Sequence, residues 1–87
     1  MEIRYAISAR KHGVSPLEIE KIIFENNYFD LPLSLDGNQK LGWVGENFIG
    51  NRIEIVAVVY ATHYLVIHAM PIRKRKGNLD DIESKLY

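Results

Sequence analysis

Arg52-Ile53-Glu54-Ile55-Val56-Ala57-Val58-Val59-Tyr60-Ala61, then Thr62-His63, then Tyr64-Leu65-Val66-Ile67-His68-Ala69-Met70, is the stretch that sets the fold. Residues 52–61 and 64–70 are dense in β-branched and aromatic side chains, which suit a pleated sheet. Thr62-His63 reads as a tight turn, and Pro71 ends the second run because proline has no N–H to give a ladder. The two runs predict an antiparallel hairpin. Alternation puts His68 on one face with Tyr64, Val66 and Met70, and His63, Leu65, Ile67 and Ala69 on the other. On the neighbouring strand, Arg52 and Glu54 share a face with Val56, Val58 and Tyr60.

Upstream, residues 40–48 read as another strand, interrupted by Gly42 and Gly45 where a bulge is expected. Gly50-Asn51 marks a tight hairpin after it. Asp36-Gly37 is a turn signal. Residues 31–35 alternate weakly and contain Pro32, which fits an edge strand or a loop. Together these runs predict an antiparallel meander.

A helical signal precedes them at Val14-Ser15-Pro16-Leu17-Glu18-Ile19. Ser15 is placed to cap a helix, and Pro16 takes the first helical position, where a missing N–H costs nothing. Glu18 completes a capping box, and Val14 and Ile19 flank it as a hydrophobic staple. The spacing predicts a helix over 16–25 with Ile19, Ile22 and Ile23 facing the core. Lys21 lies three residues after Glu18 and four before Glu25, so these charges lace the exposed side. Asn26-Asn27 ends the helix. Residues 8–12 read as one or two turns of an earlier helix, stopped by Gly13. Residues 1–7 read equally as a strand or a helix start. Asn78, Asp80, Asp81 and Lys85 mark a short C-terminal helix. Helices at both ends would cover one face of the meander, giving an α+β layer.

The totals agree with this class. A chain of 87 residues is expected to form a single domain, 1–87, with a modest core. Hydrophobic residues at 47% and charged residues at 25% fit a globular protein and argue against disorder. Cysteine is absent, which excludes disulfides and thiolate metal sites and suits a reducing cytoplasm. Residues 1–10 lack the continuous apolar stretch of a signal peptide, and the longest apolar runs, 55–61 and 64–67, are too short for a bilayer. A soluble, cytoplasmic protein is expected. The net charge of +0 argues against a large non-specific nucleic-acid footprint. Cations nevertheless cluster, with Arg4, Arg10 and Lys11 near one end and Arg73-Lys74-Arg75-Lys76 near the other. No H-E-x-x-H motif, carboxylate cluster, glycine-rich phosphate loop or nucleophile elbow occurs, so no metal or nucleotide cofactor is expected.

Arg10-Lys11-His12-Gly13-Val14-Ser15, followed by Glu18-Ile19-Glu20, resembles the corresponding segment of BrnT-like toxins, a RelE-fold family of type II toxin–antitoxin systems. Val66-Ile67-His68-Ala69-Met70 stands in the place of their last strand, and the basic tail with Tyr87 is similar to theirs. The resemblance covers residues 10–87. A related group of RelE-like proteins of uncharacterised function matches nearly as well. Met70 stands where the toxin family has arginine, and His68 where it has serine or threonine. The resemblance implies a RelE-like fold, with N-terminal helices packed on an antiparallel meander and a short C-terminal helix. It implies a metal-independent endoribonuclease that cleaves mRNA and inhibits translation. It also implies neutralisation by a cognate antitoxin, a small DNA-binding protein, in a heterotetramer; a homodimer is the other assembly to consider.

Metal-free RNA cleavage needs a base for the ribose 2′-OH, a cation for the phosphate and an acid for the leaving oxygen. His12, His68 and Arg73 are the candidate catalytic residues. Arg10, Lys11, Arg52, Lys74 and Arg75 are candidate RNA contacts, and Tyr87 is a candidate stacking partner for a base. Structural roles compete with these: His12 as a helix cap, His68 hydrogen-bonded within a sheet, Arg52 and Glu54 as a cross-strand ion pair. Two other functions stay open. Neutral charge and Met70 suit a catalytically inactive RelE-like module that binds a regulator protein. Val56, Val58, Tyr60 and Val66 suit a self-associating domain.

Overall fold

The computed structural model describes residues 1–72. Strand β1 (Glu2–Tyr5), a 3-10 turn (Ile7–Arg10), helix α1 (Pro16–Glu25) and strands β2 (Phe29–Leu31), β3 (Lys40–Glu46), β4 (Arg52–Val59) and β5 (His63–Pro71) follow in order. The strands form one five-stranded mixed sheet in the order β1-β5-β4-β3-β2, with α1 against one face. The result is an α+β fold. The C-terminal helix expected from Asn78 to Lys85 lies outside the described residues.

Helix α1 starts as its sequence dictates. Ser15 Oγ accepts from the Glu18 N–H at 3.2 Å, and Glu18 Oε1 accepts from the Ser15 N–H at 2.8 Å. The Asn26 side chain ends the helix by donating to the Ile22 carbonyl at 2.8 Å. Ile19, Ile22 and Ile23 are buried against Leu41, Trp43, Ile53, Ile55, Ala57, Val66 and Ala69 of the sheet, with Ala9 and Val14 closing the cluster. Each fully buried isoleucine contributes about 1.5–3 kcal/mol.

The N-terminal residues settle as a strand. Ile3 and Tyr5 pack towards the core while Glu2 and Arg4 stay exposed, a period of two. β1 pairs in parallel with β5, from Glu2 beside His63 to Tyr5 beside Val66. The sheet is therefore mixed, and the purely antiparallel meander is corrected. Only a 3-10 turn follows β1, where an earlier helix is expected. The Ser8 hydroxyl donates to the Ile67 carbonyl at 2.7 Å, binding this turn to the edge of β5. Gly13 then reverses the chain at φ +74, a conformation glycine adopts without a steric penalty.

The bulge also moves. β3 and β4 pair without interruption from Lys40 beside Val58 to Glu46 beside Arg52. Gly42 and Gly45 serve close approach instead: the Phe29 ring lies over Gly42, and Asn26 and Ile22 press on Gly45. The irregularity falls opposite, in β5. Ala57 pairs with Val66 and Val56 with His68, so Ile67 is the extra, unpaired residue.

Both β-hairpins differ from the sequence reading at their tips. The β3–β4 loop is wider than Gly50-Asn51, because the Asn47 N–H donates to the Asn51 carbonyl at 2.8 Å. Its Asn47 side-chain oxygen accepts from the Ile49 and Asn51 amides, which accounts for the burial of this polar residue. At the β4–β5 tip the Tyr60 N–H donates to the His63 carbonyl, so the loop is Ala61 and Thr62, one residue earlier than read. Among the described residues, no helix is long and apolar enough to cross a membrane.

Candidate functional site

The bulge at Ile67 decides where His68 points. Val66 and Ala69 both face α1 and are 0% exposed. Uninterrupted alternation would keep His68 on the face of Val66, which the sequence reading assumes. With Ile67 left out of the ladder, His68 instead pairs with Val56 on the opposite face, the one α1 does not cover. His68 therefore lies on the open face, and its grouping with Tyr64 and Val66 is corrected. Val66 is likewise lost to the proposed self-association surface.

His68 Nε2 lies 2.8 Å from Glu54 Oε2, with both side chains partly exposed. Glu54 sits on β4 directly opposite Met70, so the contact is diagonal across the ladder. The turn held against the β5 edge by Ser8 delivers His12, whose ring centroid is 6.3 Å from that of His68 at an interplanar angle of 70°. His12 is exposed, as are Arg10 and Lys11 beside it. Two of the three candidate catalytic residues therefore converge, with two candidate phosphate contacts on the same turn. Arg52 is exposed on β4, opposite Glu46. Arg73, Lys74, Arg75 and Tyr87 lie outside the described residues.

Sequence reasoning allowed Glu54 two places, lining the same surface as His68 or in an ion pair, and gave it no role in the site; the first place is the one it takes. Its alternation placed it on a face with Arg52 and suggested an ion pair between those two. The partner is His68, and only the bulge brings His68 onto that face.

The arrangement has defined chemical capacity. A carboxylate accepting from Nε2–H fixes the neutral imidazole with its lone pair on Nδ1. A second imidazole 6.3 Å away is near enough for one bound group to reach both rings. Among the described residues, no three His, Asp or Glu side chains gather as a metal site.

Ionisable groups elsewhere have structural partners. The Tyr5 hydroxyl donates to Glu20 at 2.8 Å, and burial, then this bond, hold the phenol above its usual range. The Ser15 backbone N–H is the main cause that keeps the Glu18 carboxyl below its ordinary value, with the Asn47 side chain adding to it.

These features define a class: a small α+β protein whose described residues set one α-helix on a mixed sheet and a histidine–glutamate pair on the other face. Comparison with known protein families, characterised proteins and solved structures returns no match.

Proposed function

We propose that the protein is a RelE-like, metal-independent endoribonuclease, the toxin of a type II toxin–antitoxin system that cleaves mRNA and is neutralised by a small DNA-binding antitoxin. The observation that carries this reading is the approach of His12 to His68, with Glu54 bound to the latter. Two imidazoles flanking one phosphate supply the acid and the base that strand cleavage needs. One takes the proton of the 2′-OH as that oxygen attacks phosphorus. The other protonates the departing 5′-oxygen, leaving a 2′,3′-cyclic phosphate. Glu54 orients His68 and balances its charge when protonated. Arg10 and Lys11 offset the phosphate charge from the neighbouring turn.

The test is induced expression in a growing host, paired with cleavage of a labelled RNA by purified protein in chelator. Growth arrest and a cyclic-phosphate product, both relieved by His68→Ala, are expected. Unimpeded growth with intact RNA would overturn the reading.

A second reading has its own observation. Glu54 sets a carboxylate beside the place a phosphate must occupy, which suits a catalytically inactive module that binds a regulator protein. It predicts a tight complex with that protein and no cleavage.

A further inference from the structure

We infer that the free edge of β1 is a self-pairing surface, joining two copies of this chain into one continuous sheet about a twofold axis at Ile3. Among the described residues, β1 is the terminal strand on its side of the sheet. The Ala6 N–H donates to the Val66 carbonyl at 2.9 Å, so the even-numbered residues turn their backbone groups towards β5. Along an extended strand the orientation alternates, which leaves the N–H and C=O of Ile3 and Tyr5 directed outward. An edge of this kind is a template for another strand.

The side chains select both the partner and the register. Glu2 and Arg4 lie on one face of β1, exposed, with Arg4 Nε 2.9 Å from Glu2 Oε2. In an antiparallel twofold pairing, outward residues must meet outward residues. Centring on Ile3 lets the two Ile3 residues exchange both backbone hydrogen bonds. It also sets Glu2 of each copy opposite Arg4 of the other. Sliding by one step in either direction sets Arg4 against Arg4 or Glu2 against Glu2, and like charges directly opposite are destabilising. One register is favoured, and a second copy of the same strand supplies its complement.

The helix-side face of this edge is mostly apolar, with Asn26 and Asn27 at its polar end. Met1, Ile3, Phe24, Tyr28, Trp43 and Tyr64 line a cleft of about 260 Å³ there. Met1 is 69% exposed and Phe24 73%. Twofold pairing places both helices on the same side of the joined sheet, so the two clefts meet across the Ile3 pair and bury these side chains. Isologous contacts of this kind are the commonest way that subunits associate.

Sedimentation equilibrium on the purified chain tests the inference. A dimer is expected. Arg4→Glu and Glu2→Arg, each placing like charges opposite one another twice, should each weaken it by about tenfold or more. An equimolar mixture of the two variants should recover the dimer as a heterodimer, and so should the double charge swap. That recovery also shows that the single variants are folded. A monomeric parent chain, or a dimer indifferent to these charges, would overturn the inference. Neither result bears on RNA cleavage.

Discussion

Glu54 Oε2 and His68 Nε2 stand 2.8 Å apart on a sheet face that no described helix covers. In the proposed reaction this carboxylate is a positioning group, which fixes the histidine that would act on the phosphate. Glu54→Gln keeps the shape and removes the charge. Cleavage should fall near the lower end of the roughly 10²–10⁴-fold that general acid–base catalysis contributes. The loss should appear in kcat with KM nearly unchanged, measured on a short labelled RNA. His68→Ala combined with Glu54→Gln should be no worse than His68→Ala alone, since the two act as a unit.

The helix cap is a separate element of stability. Ser15→Ala removes the hydroxyl that accepts from Glu18 N–H, and should cost about 1 kcal/mol. In a chain of this size that lowers the melting temperature by about 4–8 °C, a shift calorimetry resolves. Because Glu18 is held below its usual 4.5, its stabilisation is present above that pH. It is lost as pH falls through the depressed folded value. Acid unfolding of Glu18→Gln should therefore begin from a lower stability and be less steep.

Gly45→Ala should destabilise the sheet–helix packing. A methyl group there would stand 2.8 Å from Asn26 Cγ and 3.0 Å from Ile22 Cγ2. Asn26 cannot withdraw freely, since its amide caps the Ile22 carbonyl. A cost of about 1–3 kcal/mol is expected from urea unfolding.

Deleting Ile67 should leave the protein folded but impaired. The residues on either side already pair with consecutive positions of β4, Val66 with Ala57 and His68 with Val56. Removal would straighten the ladder without flipping any side chain. The local bend and the Ser8 anchor at Ile67 are lost, so His12 shifts relative to His68. Unchanged circular dichroism with cleavage reduced on the order of a hundredfold is the expected result.

What the sequence made legible follows from what is local. Ser15, Pro16 and Glu18 state a helix start within a few residues, and Ile19, Ile22 and Ile23 name its buried side. The apolar runs of β4 and β5 are equally plain. The Ile67 bulge is not, because nothing in Val66-Ile67-His68 distinguishes an unpaired residue from a paired one. It arises from the requirement that Val66 and Ala69 both reach the core. That one residue decides the surroundings of His68 and makes Glu54 its partner. Gly42 and Gly45 invited a bulge, yet glycine also serves where another group approaches closely, and sequence does not separate the two uses. The parallel pairing of β1 was out of reach for a different reason. Glu2 to Tyr5 form a short strand whose partner lies near the far end of the described chain.

That distant pairing governs when the molecule becomes whole. Of the described strands, the ribosome delivers β1 first and β5 last. Until β5 emerges, β1 has no ladder to join, Ser8 has no carbonyl to hold, and His12 faces no second imidazole. The histidine pair is thus a property of the finished sheet, and a chain still under synthesis short of Ala69 cannot carry it.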